Sequence, residues 1–464
     1  MPAGCVFGDK GPALFAGDGD RDGLLSLLAM TTSSAFRACV EAQVARKALA
    51  QSFEVGLIRS TPVPLIDGAT KAELSILAKR GWSLARSLDL GDETSHAFVI
   101  PGLLAVEEAS LGARMTSLSK RVGAAEASLA EIRAGIDELC FELYQLVGDD
   151  RAALVEDVDG NDDGMDRAVD AADLVSWCVG VGVGRFDVRL ATGERVRPEE
   201  PDPFDPLPVC SPGMLTGDDG LPLEVPPAGY PVEVSDVLVD DPGHRLDITA
   251  LVQAVFEVVF DDPDAWWADV GEALGAKRGE ISSWLSKGFF DHHLKTYSKS
   301  RRKAPILWPL GTASGSYTVW LYAHRVTADS LFRVLNDVVS PKLSVERRGL
   351  SELVQDAGPN PSASERKAID AQEKLVGELE ELVGRLTAVA PLWHPDLNDG
   401  VVIVLAPLWR LFAHHKPWSK ELKKHWDKLV AGEYDWAQLA MSLWPERVVP
   451  KCAEDRSLAI AHGL

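Results

Sequence analysis

Five cations fall within nine residues, Lys295, Lys299, Arg301, Arg302 and Lys303, in the stretch HLKTYSKSRRK. Positive side chains at this density bind phosphate. The chain then runs directly into an aromatic, β-rich segment holding Trp308, Tyr317, Trp320 and Tyr322 and closing on Arg325. Aromatic faces either stack on bases or fill a core. The chemistry these residues offer is contact with a nucleic-acid backbone. A second set, Lys416, Lys420, Lys423, Lys424 and Lys428, recurs at three- and four-residue spacing and so occupies one face of a helix predicted from Pro417 to about Val430. A solvated face is the plain reading of that run, and a second phosphate contact is the functional one.

Bond-making chemistry has no such signature. There is no Walker loop, HExxH or GxSxG, no convincing nuclease-type PD…(D/E)xK pattern, and no Asn/Asp-Pro-Pro-aromatic tetrapeptide. Gly180, Gly182 and Gly184 lack the spacing and the following helix of a dinucleotide loop, so a tightly packed helix ending in glycine is expected there. The pairs His292-His293 and His414-His415 point apart as neighbours on one element and make poor metal sites. Asp18, Asp20, Asp22 and Gly23 imitate the start of a calcium loop, but Ala29 stands where its closing Glu belongs, and an acidic turn is expected. Asp159, Asn161, Asp163, Gly164 and Asp170 come closer, yet Asp166 replaces the apolar eighth residue. No catalytic, cofactor-binding or metal-ligating residue is assigned to this chain.

Charge localises the expectation. Of 464 residues with a formal net charge of −23, positions 287–348 carry 11 Lys/Arg against 4 Asp/Glu, and positions 349–464 carry 13 against 17. That leaves 23 against 49, a net −26, in residues 1–286. A protein this acidic is repelled by DNA unless its positive charge is concentrated on one face. With 46% hydrophobic and 25% charged residues the chain is globular and long enough for two to four domains. It has no apolar run of transmembrane length, and its six cysteines are scattered without a CxxC, which points to a soluble protein of a reducing cytoplasm with no membrane partner.

Several elements must position these residues. A short strand is expected near Pro12–Phe15, then one amphipathic helix from Leu24 to about Ala48 and an edge strand over 53–64. The clearest periodicity runs from Leu111 to Leu146, alternating spacings of four and three over five heptads, as in a coiled-coil helix. A shorter seam, Leu375, Leu379, Leu382, Leu386 and Val389, is its expected antiparallel partner. Residues 197–231 hold ten of the 28 prolines and read as extended loop. Helices are expected over 246–286, and a buried strand over Leu397–Leu405.

A resemblance joins these pieces. The stretches LIRSTPVP (57–64), SHAFVIP (95–101), ELCFELYQL (138–146), WCVGVGVGRFDVR (177–189), DPGHRLDI (241–248), HLKTYSKSRRKAPILWPLGTASGSYTVWLYAHR (293–325), LNDGVVIVLAPLWRLF (397–412) and the segment 421–463 occur in one order over most of the chain. Together they resemble the C-terminal region of the PglX-like and DISARM-type adenine-specific DNA methyltransferases of phage-defence and restriction systems. The resemblance implies a target-recognition-like N-terminal region, with Arg59 and Ser60 as candidates for base readout. It also implies duplex DNA as partner and S-adenosylmethionine on a separate catalytic polypeptide, because the cofactor-binding and base-gripping domain has no counterpart in this sequence.

The expected fold is α+β and predominantly helical: a target-recognition-like domain over 1–148 ending in the long heptad helix, an acidic segment and Pro-rich linker over 149–245, a basic, aromatic module over 246–350, and a coiled-coil helix with a Trp-rich end over 351–464. The expected contact residues are Lys295, Lys299, Arg301, Arg302, Lys303, Arg325, Lys420, Lys423 and Lys424. The alternative is a scaffold subunit of a defence complex that does not touch DNA.

Overall fold

A computed structural model describes residues 19–44, 55–155, 167–299 and 302–464. It is 63% helix and 5% strand, a predominantly helical protein with a small sheet. The chain divides into two units, Met1–Leu174 with Phe186–Leu223, and Val175–Arg185 with Glu224–Leu464.

The first unit begins with α1 (Arg21–Thr32) and α2 (Ser34–Val44), followed by α3 (Val55–Ser60), α4 (Gly68–Asp89), α5 (Leu111–Leu143) and α6 (Asp149–Val155). Helix α7 (Arg167–Gly182) leads out of it and α8 (Arg189–Thr192) returns. The single helix expected from Leu24 is two helices. The chain turns extended at Ser33, and Asp137 of α5 accepts hydrogen bonds from the Ser34 amide (2.6 Å) and hydroxyl (2.9 Å), which caps α2 separately. The expected strand over 53–64 is instead the short helix α3, halted by Pro62 and Pro64, since six residues of mixed pattern do not separate the two periods. The strand expected near Pro12–Phe15 lies outside the described residues. Asp20 caps α1 by accepting from Gly23 N at 2.8 Å, so that acidic turn is a helix start.

Helix α5 buries Leu111, Met115, Leu118, Ala125, Ile132 and Ile136 of its seam. Its partner differs from the expected one: α4 and the α1–α2 pair fill that role, with Leu25, Met30, Leu74 and Ala78 meeting Ile132, Ile136, Cys140 and Phe141. The Pro-rich stretch is loop, tied down at Gly213, whose amide donates to Phe98 O at 2.8 Å. A side chain there would meet Val99 O at 2.4 Å, so only glycine allows the approach.

Where the chain re-enters this unit, Asp187 is fully buried and takes Arg189 Nε and Nη2 (2.9 and 2.8 Å) and Arg195 Nη1 (2.9 Å). Burial alone would raise its pKa, but the two guanidinium groups outweigh it and hold the carboxyl below its ordinary value.

The second unit is built on a three-stranded antiparallel sheet, ordered β1 (Val237–Val239), β5 (Thr318–Tyr322), β4 (Leu307–Gly311). Every residue of β4 and β5 is buried, and Pro309 is tolerated because β4 is an edge. Around the sheet lie α9 (Ile248–Val259), α10 (Pro263–Ala273), α11 (Ile281–Lys287) and α12 (Phe289–Thr296), and a two-stranded hairpin of β2 (Ser298–Lys299) and β3 (Arg302–Lys303) precedes β4. A continuous helical stretch, α13 (Ser330–Arg333), a π-helical turn and α14 (Ser340–Ala357), then packs against α15 (Ala363–Val389). The second seam thus finds its partner in α14. The buried strand expected at Leu397–Leu405 is the helix α16 (Val401–Leu405) continuing into a 3-10 helix, Ala406–Phe412. A short apolar run suits a buried helix as well as a strand, and Gly400 and Pro407 bracket it. The chain ends with α17 (Lys416–Val430), α18 (Gln438–Leu443), α19 (Pro445–Glu454) and α20 (Arg456–Ala461). No single helix among the described residues is long and apolar enough to cross a membrane.

Removing the Asp187 carboxylate leaves two arginines facing a buried void. Asp187→Ala is expected to lower stability by about 3–5 kcal/mol in chemical denaturation, whereas Arg37→Ala, which breaks the exposed pair with Glu41, costs under about 1 kcal/mol.

Candidate nucleic-acid interface

The basic segment is held out from the second unit by a buried histidine. His293, on α12, accepts hydrogen bonds at Nε2 from the amides of both Ile306 and Leu307, each at 3.0 Å. This clamps the start of β4 to α12. The intervening residues have to leave and return within about ten positions, and they do so as the β2–β3 hairpin, closed by Ala304 N donating to Tyr297 O at 3.0 Å.

The register pairs Lys299 with Arg302 and Ser298 with Lys303. Lys295, Lys299, Arg302 and Lys303 are all exposed, and no ion pair among the described residues engages any of them. Arg301 lies outside the described residues. Like charges directly opposite on a hairpin repel, so Lys299 facing Arg302 costs stability until an anion lies across them. Other cations of the same unit are matched, among them Arg333 with Asp236 (2.7 Å), Lys342 with Asp241 (2.6 Å) and Arg347 with Glu380 (2.6 Å).

The second basic set lies where the sequence puts it. On α17, Trp418, Leu422 and Leu429 are buried, and Lys416, Lys420, Lys423 and Lys424 are exposed on the opposite face. Lys423 is paired with Asp427 (2.7 Å) and Lys428 with Glu433 (2.9 Å), and Lys416, Lys420 and Lys424 make no ion pair among the described residues. The structure brings the two sets to neighbouring positions: Lys303 Nζ sits 6.0 Å from the centre of the Trp418 ring, and Phe290 of α12 meets both His415 (4.7 Å) and Trp418 (6.3 Å).

Other expected contacts are placed differently. Arg325 is half-buried and its guanidinium lies against Gly184, a position with φ of +73° where a side chain would meet Arg325 Nη2 at 2.6 Å, so it belongs to the packing around the end of α7. Arg59 and Ser60 belong to the first unit. Both are exposed, and the Ser60 hydroxyl donates to Gln43 at 2.7 Å. The aromatic residues of the β run fill the core: Trp308, Tyr317, Trp320 and Tyr322 are all buried.

The glycine run holds no cofactor loop. Gly180 and Gly182 are inside α7, and a side chain at Gly182 would collide with Leu251, so this backbone is packed against protein. His414 is half-buried beside Gly311 and Gly315, and no cluster of three or more His, Cys, Asp or Glu suited to a metal occurs among the described residues. Sequence reasoning missed the Asp187 cluster, whose short local spacing carries no signal of burial. It also missed a groove beside α17, whose walls come from three distant segments.

No protein-family model matches this chain, and comparison with curated proteins finds no significant match.

Burial, with the charge of Arg185 adding to it, pushes the His293 pKa down to about 3, and burial pushes His414 to the same level. Both groups therefore bind fewer protons folded than unfolded, so their contribution is fully present above about pH 6.5 and is lost as pH falls toward 3. For His293 the loss by pH 5 is about 2 kcal/mol. Gln at 293 keeps an acceptor for the two amides and cannot be protonated there. His293→Gln should therefore shrink the difference in unfolding free energy between pH 7 and pH 5 by about that amount, and His293→Ala should be strongly destabilised at both.

Proposed function

We propose that this chain binds duplex DNA through the cationic surface of its second unit, with Lys295, Lys299, Arg301, Arg302 and Lys303 and the α17 residues Lys420, Lys423 and Lys424 contacting phosphates. The observation that carries this reading is the exposed hairpin whose facing Lys299 and Arg302 have no acidic partner among the described residues, in a protein with 70 Asp and Glu against 47 Lys and Arg. Unmatched cations clustered on an acidic protein repay their mutual repulsion when a polyanion binds. Such contacts set affinity and orientation and do not read sequence.

On the resemblance to adenine-specific DNA methyltransferases, the role extends to positioning DNA for adenine-N6 methylation. The first unit then serves as the target-recognition-like part, with Arg59 and Ser60 the candidates for base contact. S-adenosylmethionine and the methyl transfer belong to a separate catalytic polypeptide, and no step of that reaction is assigned to residues here. The cytoplasm is the proposed location.

One observation favours the scaffold alternative. Helix α14 exposes Val345, Leu353 and Val354 at 59%, 38% and 48% along the hairpin it makes with α15, a surface that fits a partner protein.

Charge reversal separates the readings. Arg302→Glu with Lys303→Glu should weaken duplex binding for all sequences by at least tenfold and reduce the slope of log K against log salt by about 2, and Lys420→Glu with Lys424→Glu should act in the same direction. Wild-type slopes in all variants would leave the scaffold reading.

A further inference from the structure

A groove of about 470 Å3 runs beside α17 in the second unit. The end of α15 walls it with Ala388 and Val389 and the 3-10 turn that follows with Leu392, the 3-10 stretch Ala406–Phe412 floors it with Pro407 and Trp409, and α17 closes it with Lys423 and Trp426. Leu392 is 56% exposed, and the two indoles are half-buried with part of each open to solvent. Three cations also line it. Arg410 and Lys423 lie 5.0 and 5.8 Å from the centre of the Trp409 ring, and Arg385 donates to Arg410 O at 2.8 Å and pairs with Glu381. The single acid in the lining, Asp427, is neutralised by Lys423.

We infer that this groove takes unpaired bases of a single-stranded nucleic acid, stacked against Trp409 and Trp426, with the strand's phosphates passing along the lysine-bearing face of α17. The inference rests on the reading that the second unit binds nucleic-acid backbone, and it names a substrate form that the cationic hairpin alone does not require. Lys423 is shared between the groove lip and the exposed lysine face, so backbone contact and groove are continuous on one helix. The Arg410 and Lys423 side chains lie over the Trp409 ring and Trp444 lies against Trp426, so a base would enter between an indole and a flexible cationic side chain, a setting that suits neutral, flat, polarisable rings followed by phosphate. Bases in a duplex are already stacked and paired and have no face to offer such a groove, which leaves an unpaired strand as the occupant. A volume of this size lies in the range of small-ligand sites, and its lining sets apolar and aromatic side chains beside charged ones.

The test uses the full chain, a fluorescent oligothymidylate of about twelve nucleotides, and a mixed-sequence duplex of the same length, with binding read by anisotropy at two salt concentrations. Trp409→Ala should weaken oligothymidylate binding roughly tenfold, while duplex affinity stays within about twofold of wild type, and Trp409→Phe should recover most of the loss. Circular dichroism on each variant identifies any that fails to fold, and Trp426→Phe and Arg410→Gln then serve in its place. Oligothymidylate affinity that does not change in folded groove variants overturns the inference, as does an oligothymidylate that the wild type does not bind. Trp409-dependent binding of poly-L-glutamate in place of oligothymidylate assigns the groove to acidic protein segments and also overturns it. Failure of the duplex reading shows separately, as wild-type protein that binds oligothymidylate but not duplex.

Discussion

Much of the second unit depends on one buried imidazole accepting two backbone amides. With Nε2 of His293 bound by the Ile306 and Leu307 amides, β4 must begin beside α12, and Leu307–Gly311 can then pair along β5. Without an acceptor there, two amides at the head of a wholly buried strand would be left without partners, at a cost of about 1–3 kcal/mol each. The clamp also decides what the basic segment can do. Its ends are fixed to α12 on one side and to the buried strand β4 on the other, and its charged residues are presented to solvent as a hairpin of two-residue strands. Phe290, one turn before the clamp, packs onto His415 and Trp418 and fixes α17 next to the same element.

The electrostatic arrangement follows from that geometry. Acidic residues outnumber basic ones, and in the second unit several arginines and lysines, Arg333, Lys342 and Arg447 among them, are matched by a carboxylate within 3 Å. On the hairpin and on the outer face of α17, cations without an ion pair among the described residues stand close together. A cation that is neither paired nor buried gains little for folding, and a pair of them in cross-strand register loses something. An outside anion lying across the pair would relieve that repulsion. The proposed polyanion contact is the reading under which the facing of Lys299 and Arg302 has a use.

The elements with long, regular patterns were legible in the sequence. The long heptad helix, the glycine-ended α7, the Pro-rich loop, the β4–β5 run and the lysine-bearing α17 all occur, because their periodicity or composition extends over many residues. The short segments were not. Helix α3 and helix α16 each offer five or six residues with no decisive period, and only tertiary packing selects helix, as where Trp393 Nε1 donates to Val404 O at 2.9 Å. The break between α1 and α2 depends on Asp137, a hundred residues away, and the partner of each seam was equally a matter of long-range packing. Within the candidate site, the exposed hairpin and the lysine face were readable from charge and spacing. The role of His293 as clamp and the assembly of the Trp409 groove were not, since each joins residues that are separate in the chain.

Hydrogen–deuterium exchange of the intact chain with and without saturating duplex DNA tests the central claim most directly. Two-residue strands and an exposed helix face exchange readily when free, so contact with phosphate should register as slowed exchange. The account predicts protection over residues 295–304 and over 416–424 on addition of duplex. A bound complex in which neither segment changes would contradict it and place the DNA on another surface.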